Sequence, residues 1–538
     1  MKRIIITGAT VLALSGCQLT NDSSADYQPD EIVPAPQMER EAGIQHYALI
    51  HPGSKHAPQI DRQLPAQMQA DLWDRIRMQM SIEIPEHALI DTHRDWYLSH
   101  PSYIDRVAQR AAPFLHLIVQ EIEKRELPLE LVLVPVVESA YDTFAYSHGR
   151  ASGIWQFIPS TARHYGLEID WWYDGRRDVM AATHTALDYF DRLAKTFDGD
   201  WLLAMAAYNG GQGRVLGAIR RNERDGKPTD FWNLQLPRET RNYVPKILAL
   251  AELLRDSEQW NVSWTHIPNQ PVTEIVDVGH QIDLALAASM AGMSLEDLHR
   301  FNSGYNRWAT APNGPHKLLL PIERAQQFKL AMADSDPNDW LSWQRHQVRP
   351  GESLSTIAQR YNTTVRSIQQ FNNLSGTMIR QGDHLLIPVA SQELEQYTLS
   401  AEQRLATTQN RSQGQQRLEH SVRRGDTLWD IARKYRVSVA NIARWNNMAP
   451  RDTLRIGQTL VIWQNNTSSA SSTQTAGTTP VMRTIQYNVR SGDSLARIAS
   501  RFRVTVADIE QWNSISRDRF LQPGQRLTLH VDVTKVSL

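Results

Sequence analysis

The sequence predicts a multidomain α+β protein in which an all-α N-terminal domain precedes small modules that combine strands and helices. The first observation is length, because 538 residues are more than a single hydrophobic core usually serves. The second is periodicity: apolar residues between about 65 and 260 recur at helical spacing, with little strand-type alternation. The third is repetition, because one pattern occurs three times in the C-terminal third.

Amphipathic stretches predict the helices of the first domain. The clearest cover Ile104–Arg125 and Met180–Lys195, and we place this domain at residues 65–260. Charge is balanced, with 57 Lys and Arg against 58 Asp and Glu, so the basic excess of a nucleic-acid-binding protein is missing. No nucleic-acid partner is therefore expected.

The N-terminus has the layout of a secretory signal. Lys2 and Arg3 precede an apolar run that ends in small residues before Cys17, and this run is too short to span a bilayer. The segment Leu14–Cys17 resembles a bacterial lipobox, which implies removal of residues 1–16 and lipidation of the cysteine. An ordinary signal peptide with an incidental cysteine is the alternative.

The residues after Cys17 predict a tether rather than a folded element. Residues 17–64 begin with polar, Pro-containing sequence that has no periodicity, as flexible linkers do. Lipid on Cys17 would be the membrane contact, and Gln18, by resemblance to bacterial lipoproteins, implies the periplasmic face of the outer membrane.

Three similar segments, which begin at His346, His420 and Tyr487, make up the C-terminal third. Each contains Val-Arg-x-Gly-[Glu/Asp]-[Ser/Thr]-Leu, an Ile-Ala pair, an Asn after an aromatic residue and Gly-[Asp/Gln]-x-Leu. Alternation, then two stretches of helical spacing, then alternation predict the order strand, helix, helix, strand. The N-caps of the first helices are expected at Ser353, Thr427 and Ser494.

The composition between the repeats suggests separate modules. We place the modules at residues 345–389, 419–463 and 485–532. The linker 390–418 is Gln-rich, and the linker 464–484 is rich in Ser and Thr and is expected to be flexible. The modules are therefore expected to be independent of one another.

These modules resemble LysM domains over their full length. The resemblance implies binding of N-acetylglucosamine-containing polymers, here peptidoglycan glycan strands, in a shallow groove between two loops of each module. Most of the repeating residues, such as Leu354 and Ile357, are expected to belong to the core instead. The implied loop pairs are Gly351–Leu354 with Ile379–Gly382, Gly425–Leu428 with Arg455–Gly457, and Gly492–Leu495 with Leu521–Gly524.

A weaker copy of the pattern precedes the three modules. Residues Ile282–Pro321 keep an Ala-Ala pair, Asn302 after an aromatic residue and a Leu-rich ending, but they lack the opening Gly-[Glu/Asp]-[Ser/Thr]. Segment 261–340 is therefore expected to be a degenerate LysM-like segment that packs against the helical domain instead of binding glycan.

Glu138 is the candidate catalytic residue. It ends the apolar run that begins at Leu131, and apolar neighbours disfavour the ionised form of a carboxyl group and raise its pKa. A general acid for a glycosidic oxygen must be protonated near neutral pH, so this setting suits the role. By itself the pattern is also typical of a solvated residue at a helix end.

The motifs around Glu138 are more specific. Glu-Ser at 138 is followed by GIWQFIP from Gly153, AYNGG from Ala207 and ETRNYV from Glu239. This ordered set resembles the catalytic domain of the soluble-type lytic transglycosylases, which are related to goose-type lysozyme. The resemblance spans roughly residues 85–260 and implies an all-α, lysozyme-like fold.

Roles carry over by resemblance at matching positions. Glu138 matches the catalytic acid/base, and Trp155 departs from the Met of many relatives, where it is expected to pack under the cleft or stack on sugar. A muramidase that admits water, or a catalytically inactive wall-binding lipoprotein, remains as an alternative. The implied substrate-binding residues are Ser147, Gln156, Tyr208, Asn209 and Tyr243.

One carboxyl group suffices in the implied mechanism. Glycosidases commonly use two, and Asp142, one helical turn from Glu138 if the helix continues, is the alternative second acid. The resemblance implies instead that the muramic C6 hydroxyl attacks C1 and gives a 1,6-anhydro product. His148, His164 and His184 have no metal-ligand spacing and no phosphate-binding loop is present, so no cofactor or metal is expected.

Overall fold

The computed structural model describes residues 55–56, 60–147, 149–411, 416–450, 452–464, 482–489, 493–502, 504, 506–513, 515, 522 and 524–532. The predicted signal peptide, Cys17, most of the tether and most of the linker 464–484 lie outside these residues. No described helix has both the length and the apolarity that crossing a membrane requires.

The first domain is built from helices, as predicted. A short antiparallel pair, β1 (Lys55–His56) with β2 (Trp264–Thr265), joins its two ends. A 3-10 turn over Leu129–Leu133 leads directly into the helix Val134–Ser139. The helices are α1 (Leu72–Arg77), α2 (Ala88–Ser99), α3 (Pro101–Ala111), α4 (Leu115–Lys124), α5 (Val134–Ser139), α6 (Pro159–His164), α7 (Val179–Thr196), α8 (Trp201–Gly210), α9 (Gln212–Arg224) and α10 (Arg238–Arg255).

One of the two helical stretches expected from periodicity is interrupted. Ile104–Arg125 contains α3 and α4, separated at Pro113, because proline lacks the amide hydrogen and its ring clashes with the preceding turn. Met180–Lys195 lies within α7 as expected. There the Asp178 carboxylate accepts a hydrogen bond from the Ala181 amide at 2.9 Å and caps the helix.

The core of the first domain forms around α10, which packs against α2 and α8. The central residues of α10, among them Val244 and Ile247, are fully buried. Arg94 of α2 pairs with Glu252 of α10 at 2.9 Å. Trp155 is fully buried and its indole donates to Thr183 Oγ1 at 2.9 Å, so packing is the role observed for it.

The degenerate repeat has the complete strand–helix–helix–strand order. Strands β3 (Thr273–Asp277) and β4 (Lys317–Pro321) pair antiparallel, and α11 (Leu284–Met290) and α12 (Leu295–Phe301) lie between them in sequence. A further helix, α13 (Ile322–Ala333), follows. The repeat packs on the helical domain as expected: Thr273 Oγ1 donates to the Pro113 carbonyl at 2.9 Å.

The three modules also have the predicted order, each with one antiparallel strand pair. Ser353 and Thr427 cap their helices as predicted. The elements are β5 (Ser342–Gln347), α14 (Leu354–Arg360), α15 (Val365–Phe371) and β6 (His384–Val389); β7 (Gln416–Ser421), α17 (Leu428–Tyr435), α18 (Val439–Trp445) and β8 (Thr459–Gln464); and β9 (Met482–Asn488), α19 (Leu495–Phe502), α20 (Val506–Asn513) and β10 (Arg526–Asp532). The helix α16 (Ala401–Asn410) lies between the first and second modules.

The asparagine that follows an aromatic residue in every copy has one structural role. In the second module Asn446 accepts from the Val461 amide and donates to the Val461 carbonyl, both at 2.7 Å. The equivalent side chains, including that of the degenerate repeat, bind the returning strand in the same way. They are Asn302 with Leu319, Asn372 with Leu386 and Asn513 with Thr528.

The expectation that the linker 390–418 leaves its neighbours independent is wrong. This segment contains α16, and its Tyr397 is buried in the core of the degenerate repeat, with its hydroxyl 2.9 Å from Asp283 Oδ1. A Gln-rich composition did not reveal this single aromatic anchor. The described residues up to Gln464 form one compact unit, and those of the third module form another.

Candidate active site

Glu138 lies in the last turn of α5, and both sides of that turn are fixed. The helix stops because Ala140 and Tyr141 adopt left-handed conformations, with φ of 50° and 58°. Ser139 Oγ donates to the carbonyl of Ile154 at 3.0 Å. The carboxyl group is therefore presented from a short, braced helix end.

The surroundings of Glu138 keep its carboxyl group poised between its two protonation states. Burial is the main influence on its pKa, which is raised to about 7; the nearby charge of Glu239 acts in the same direction. Tyr243 Oη donates to Glu138 Oε1 at 2.7 Å, and this bond and the charge of Lys246 favour the carboxylate. The residue keeps partial exposure to solvent, as contact with a substrate requires.

The neighbouring acids have structural partners. Asp142, the alternative second acid, is not on the Glu138 helix; it accepts from the Phe144 amide at 2.9 Å and lies 3.8 Å from Arg110. Asp174 is buried and pairs with Arg176 at 2.8 Å. Both carboxylates therefore have partners of their own outside Glu138.

Ser147 lies in a segment that we call the Ser147 loop, residues 144–152. Its amide donates to the Ala151 carbonyl at 2.9 Å, and its Oγ accepts from the Ala151 amide at 3.1 Å. The loop is followed by Gly153, where φ is 78° and an added Cβ would lie 1.8 Å from the Arg176 carbonyl oxygen. Only glycine fits there, so the chain can turn tightly beside the site.

The Gln156 side chain is hydrogen-bonded to the backbone near both ends of this loop. Its side-chain amide donates to the Gly153 carbonyl at 2.7 Å and to the Ala145 carbonyl at 3.4 Å, and its φ is 50°. Gln156 was expected to line the cleft. In the structure its side-chain amide is hydrogen-bonded to these two backbone carbonyls.

Tyr208 and Asn209 end α8 beside the carboxyl group. Tyr208 Oη donates to the carbonyl of Trp155 at 2.7 Å, and its ring stacks on Phe190 at 4.5 Å. Burial and then the charge of Glu138 raise the pKa of Tyr208, so the phenol stays protonated. Asn209 Oδ1 accepts from Thr240 Oγ1 at 2.9 Å.

Sequence reasoning named Tyr243 of α10 but assigned no role to its neighbours Glu239 and Lys246, whose charges act on Glu138. Glu239 and Lys246 flank Tyr243 at spacings of four and three residues, which place all three on one helix face; that spacing was the available signal. Gly210 packs against Thr240, whose Oγ1 would lie 2.8 Å from an added Cβ. The residue that caps α8 is Gly211, with φ of 91°.

The structure thus places Tyr243 against Glu138, with Tyr208 and Lys246 near enough to influence its charge. Ser147 belongs to the Ser147 loop, Gln156 donates to the carbonyls of Ala145 and Gly153, and Cys17 lies outside the described residues. Among the residues described, no three His, Cys, Asp or Glu side chains group as metal ligands would.

Family models match most of the folded chain. The Transglycosylase SLT domain model matches residues 117–231, which include Glu138 and Asn209 but end before Tyr243. The model of the Lytic transglycosylase MltD, LysM-like domain matches residues 272–336. The LysM domain model matches 346–388, 420–463 and 487–529.

Among curated proteins, the chain is 36% identical over 480 residues to membrane-bound lytic murein transglycosylase D of Escherichia coli K12. The match covers 87% of this chain and 99% of that protein. A putative tributyltin chloride resistance protein of Alteromonas is 46% identical over 24% of this chain and 66% of its own length. An autolysin of Enterococcus faecalis is 29% identical over 34% of this chain and 24% of its own length. From the near-complete coverage of the first relative and the order of its domains, this chain belongs to the family of membrane-bound lytic murein transglycosylase D.

Proposed function

We propose that this protein is a peptidoglycan lytic transglycosylase that acts in cell-wall remodelling and turnover. It cleaves the β-1,4 bond between N-acetylmuramic acid and N-acetylglucosamine and leaves a 1,6-anhydromuramic end. The observation that carries the proposal is the partly enclosed Glu138 carboxyl group, whose pKa is raised to about 7 and which Tyr243 holds at 2.7 Å. Such a group can both donate and accept a proton at neutral pH.

Glu138 acts first as an acid. Its proton passes to the glycosidic oxygen while the bond from that oxygen to muramic C1 breaks, and the muramic acetamido oxygen stabilises the charge at C1. The carboxylate then removes the proton of the muramic C6 hydroxyl, whose oxygen bonds to C1. Glu138 ends protonated, water is not consumed, and no second carboxylate is needed.

The residues around Glu138 orient it and stabilise charge. Tyr243 favours the carboxylate that forms after the first proton transfer. Tyr208 and Asn209, tied to the Trp155 carbonyl and to Thr240, contribute polar groups to the reacting sugar. Ser147 acts from the Ser147 loop as a substrate contact, and Gln156 lines the cleft and supports that loop.

The three LysM modules bind peptidoglycan strands and keep the enzyme on a polymeric substrate. Several weak sites on one chain raise the effective concentration of the polymer even when each site binds weakly. The lipobox-like segment before Cys17 supports attachment of lipid at that cysteine and residence at the periplasmic face of the outer membrane. The name of the Escherichia coli relative, membrane-bound lytic murein transglycosylase D, supports attachment to a membrane.

The test of the active site is Glu138→Gln, which keeps the shape of the side chain but removes its titrating proton. Solubilisation of purified sacculi by the variant should fall at least about a thousandfold, since both proton transfers are lost. Binding of the variant to sacculi should match that of the wild type. Unchanged solubilisation would show that Glu138 is not the acid.

A further inference from the structure

A closed set of contacts links the Ser147 loop to the second LysM module. The loop ends at Ser152, which is fully buried and accepts a hydrogen bond from Arg177 Nε at 3.0 Å. Arg177 Nη1 also donates to Asn306 Oδ1 in the degenerate repeat, at 3.0 Å. The Asn306 carbonyl in turn accepts from the amide of Ala401, the first residue of α16, at 2.8 Å.

Helix α16 continues this connection in two directions. The guanidinium of Arg404 lies 4.7 Å from the centre of the Phe144 ring, at the start of the Ser147 loop. Near the other end of α16, Gln409 Nε2 donates to Asn446 Oδ1 at 2.8 Å, and Asn446 is a buried residue of the second module. The linker helix therefore contacts both the loop and the module.

The module returns to the loop through an ion pair. Asp452 Oδ1 lies 2.7 Å from Arg150 Nε, and only 12% of the Asp452 side chain is exposed. Asp452 Oδ2 accepts from the Ala449 amide at 2.9 Å, which fixes the carboxylate within its own module. On the other side, the Arg150 carbonyl accepts from Arg176 at 2.6 Å. The loop that carries Ser147 is thus held from both ends.

We propose that Asp452 of the second LysM module and Arg404 of α16 hold the Ser147 loop in the position that the reaction requires. Asp452, Arg150 and Arg404 are positioning residues that act through this loop. The inference rests on the proposed transglycosylase function and on the expected contact between Ser147 and the substrate. Under this proposal the second LysM module is not an independent binding module, because it also positions a loop of the catalytic domain.

The position of Asp452 also connects binding with cleavage. Asp452 lies three residues before Arg455–Gly457, the loop in which LysM resemblance implies glycan contacts. A glycan strand bound at Arg455–Gly457 would therefore contact the module close in sequence to Asp452, which pairs with Arg150 of the Ser147 loop.

A reciprocal charge exchange tests the role of the ion pair. The substrate is a soluble, peptide-free murein octasaccharide, and the full chain is used throughout. Arg150→Asp and Asp452→Arg should each lower kcat about threefold to fivefold with little change in KM, as expected for a partly exposed ion pair that orients a loop. The double variant restores opposite charges and should recover kcat to within about twofold of the wild type.

The matched control is Arg417→Asp, which breaks the ion pair with Glu419 at 2.7 Å within strand β7 of the same module. It should leave kcat unchanged. Unchanged kcat in Arg150→Asp and Asp452→Arg, or a loss that the double variant does not recover, would overturn the inference. Failure of the wild type to form 1,6-anhydro ends would instead refute the proposed function, so the two failures are distinguishable.

Discussion

At the scale of single residues, the protonation of Glu138 is a balance of opposed influences. Burial and the charge of Glu239 favour the neutral acid, whereas the Tyr243 hydroxyl and Lys246 favour the carboxylate. The resulting pKa of about 7 suits a group that gives up a proton and then takes one back. A change to any of these partners should therefore appear first in the dependence of rate on pH.

Tyr243→Phe removes the hydrogen bond that favours the Glu138 carboxylate. The pKa of Glu138 should rise further, so the decline of kcat/KM on the alkaline side should move to higher pH than in the wild type. The rate at its optimum should fall about tenfold, because the carboxylate loses its orienting partner. The measurement is a pH profile of octasaccharide cleavage.

The control for Tyr243→Phe is Tyr141→Phe, which removes a buried hydroxyl that donates to the Val132 carbonyl at 2.8 Å and not to Glu138. Its alkaline limb should stay at the wild-type pH. A limb that moves to lower pH in Tyr243→Phe would contradict the assigned hydrogen bond.

The raised pKa of Glu138 also affects stability. The folded-state pKa of about 7 exceeds the ordinary value of 4.5, so the folded state holds a proton that the unfolded state releases between these values. This contribution is fully present below pH 4.5 and is lost as pH rises through 7. Glu138→Gln abolishes it.

The free energy of unfolding of Glu138→Gln, relative to the wild type, should increase by roughly 2 kcal/mol between pH 4 and pH 8. This value is lower than the full shift implies, because Glu138 is partly exposed to solvent. Denaturant unfolding of both proteins at the two pH values measures it. A difference that is constant with pH would show that the pKa of Glu138 is not raised.

At the scale of elements, each repeat depends on one asparagine that binds the backbone of the returning strand. Asn446 is 3% exposed, and it pairs with both the amide and the carbonyl of Val461. The side chain closes the module at the point where its second helix ends. A change there should affect the second module as a whole.

Asn446→Ala leaves both backbone groups of Val461 without this partner and should destabilise the second module by about 2 to 3 kcal/mol. The partly exposed Asn441→Ala is the matched control and should change stability by no more than about 0.5 kcal/mol. Thermal unfolding of the chain ending at Gln464 separates the two. Equal stability of both variants would contradict the structural role of Asn446.

Patterns that depend on local spacing were predictable from sequence. The caps Ser353 and Thr427, the repeated strand–helix–helix–strand order and the placement of Glu138 at a helix end all follow from short-range periodicity and helix-capping preferences. Tyr243, which lies 105 residues from Glu138 in the chain and donates a hydrogen bond to it, was assigned to the site only by family resemblance.

Features that depend on tertiary packing were not predictable. The break at Pro113 has a local cause, since proline interrupts a helix, but the amphipathic pattern of the sequence continues across it and hid the break. The burial of Tyr397 and the ion pair between Arg150 and Asp452 join segments whose local sequences carry no sign of the partner. Both contacts follow from the tertiary arrangement of the domains.

At the scale of the whole molecule, the described residues fall into two compact units, and the boundary follows the second module. The first unit contains the helical domain, the degenerate repeat, two LysM modules and the linker helix α16. The third module has its own core and belongs to the second unit. Loss of the third module alone and loss of the second module as well should therefore have different effects on cleavage and binding.

Truncation after Gln464 removes the third module and should weaken sacculus binding while cleavage of the octasaccharide stays within about twofold of the wild type. Truncation after Arg411 also removes the second module, and should lower octasaccharide cleavage at least about threefold, because Asp452 no longer supports the Ser147 loop. Steady-state rates and sacculus pull-down on the same preparations measure both effects. Equal octasaccharide rates for the two truncations would contradict the difference between the modules.

The central claim is that cleavage transfers the muramic C6 oxygen to C1 without water. Digestion of intact sacculi in ¹⁸O-water, followed by mass spectrometry of the released glycan ends, tests it most directly. The account predicts 1,6-anhydromuramic ends that contain no ¹⁸O, together with loss of these products in Glu138→Gln. Reducing muramic ends labelled with ¹⁸O would contradict it and identify the enzyme as a hydrolase.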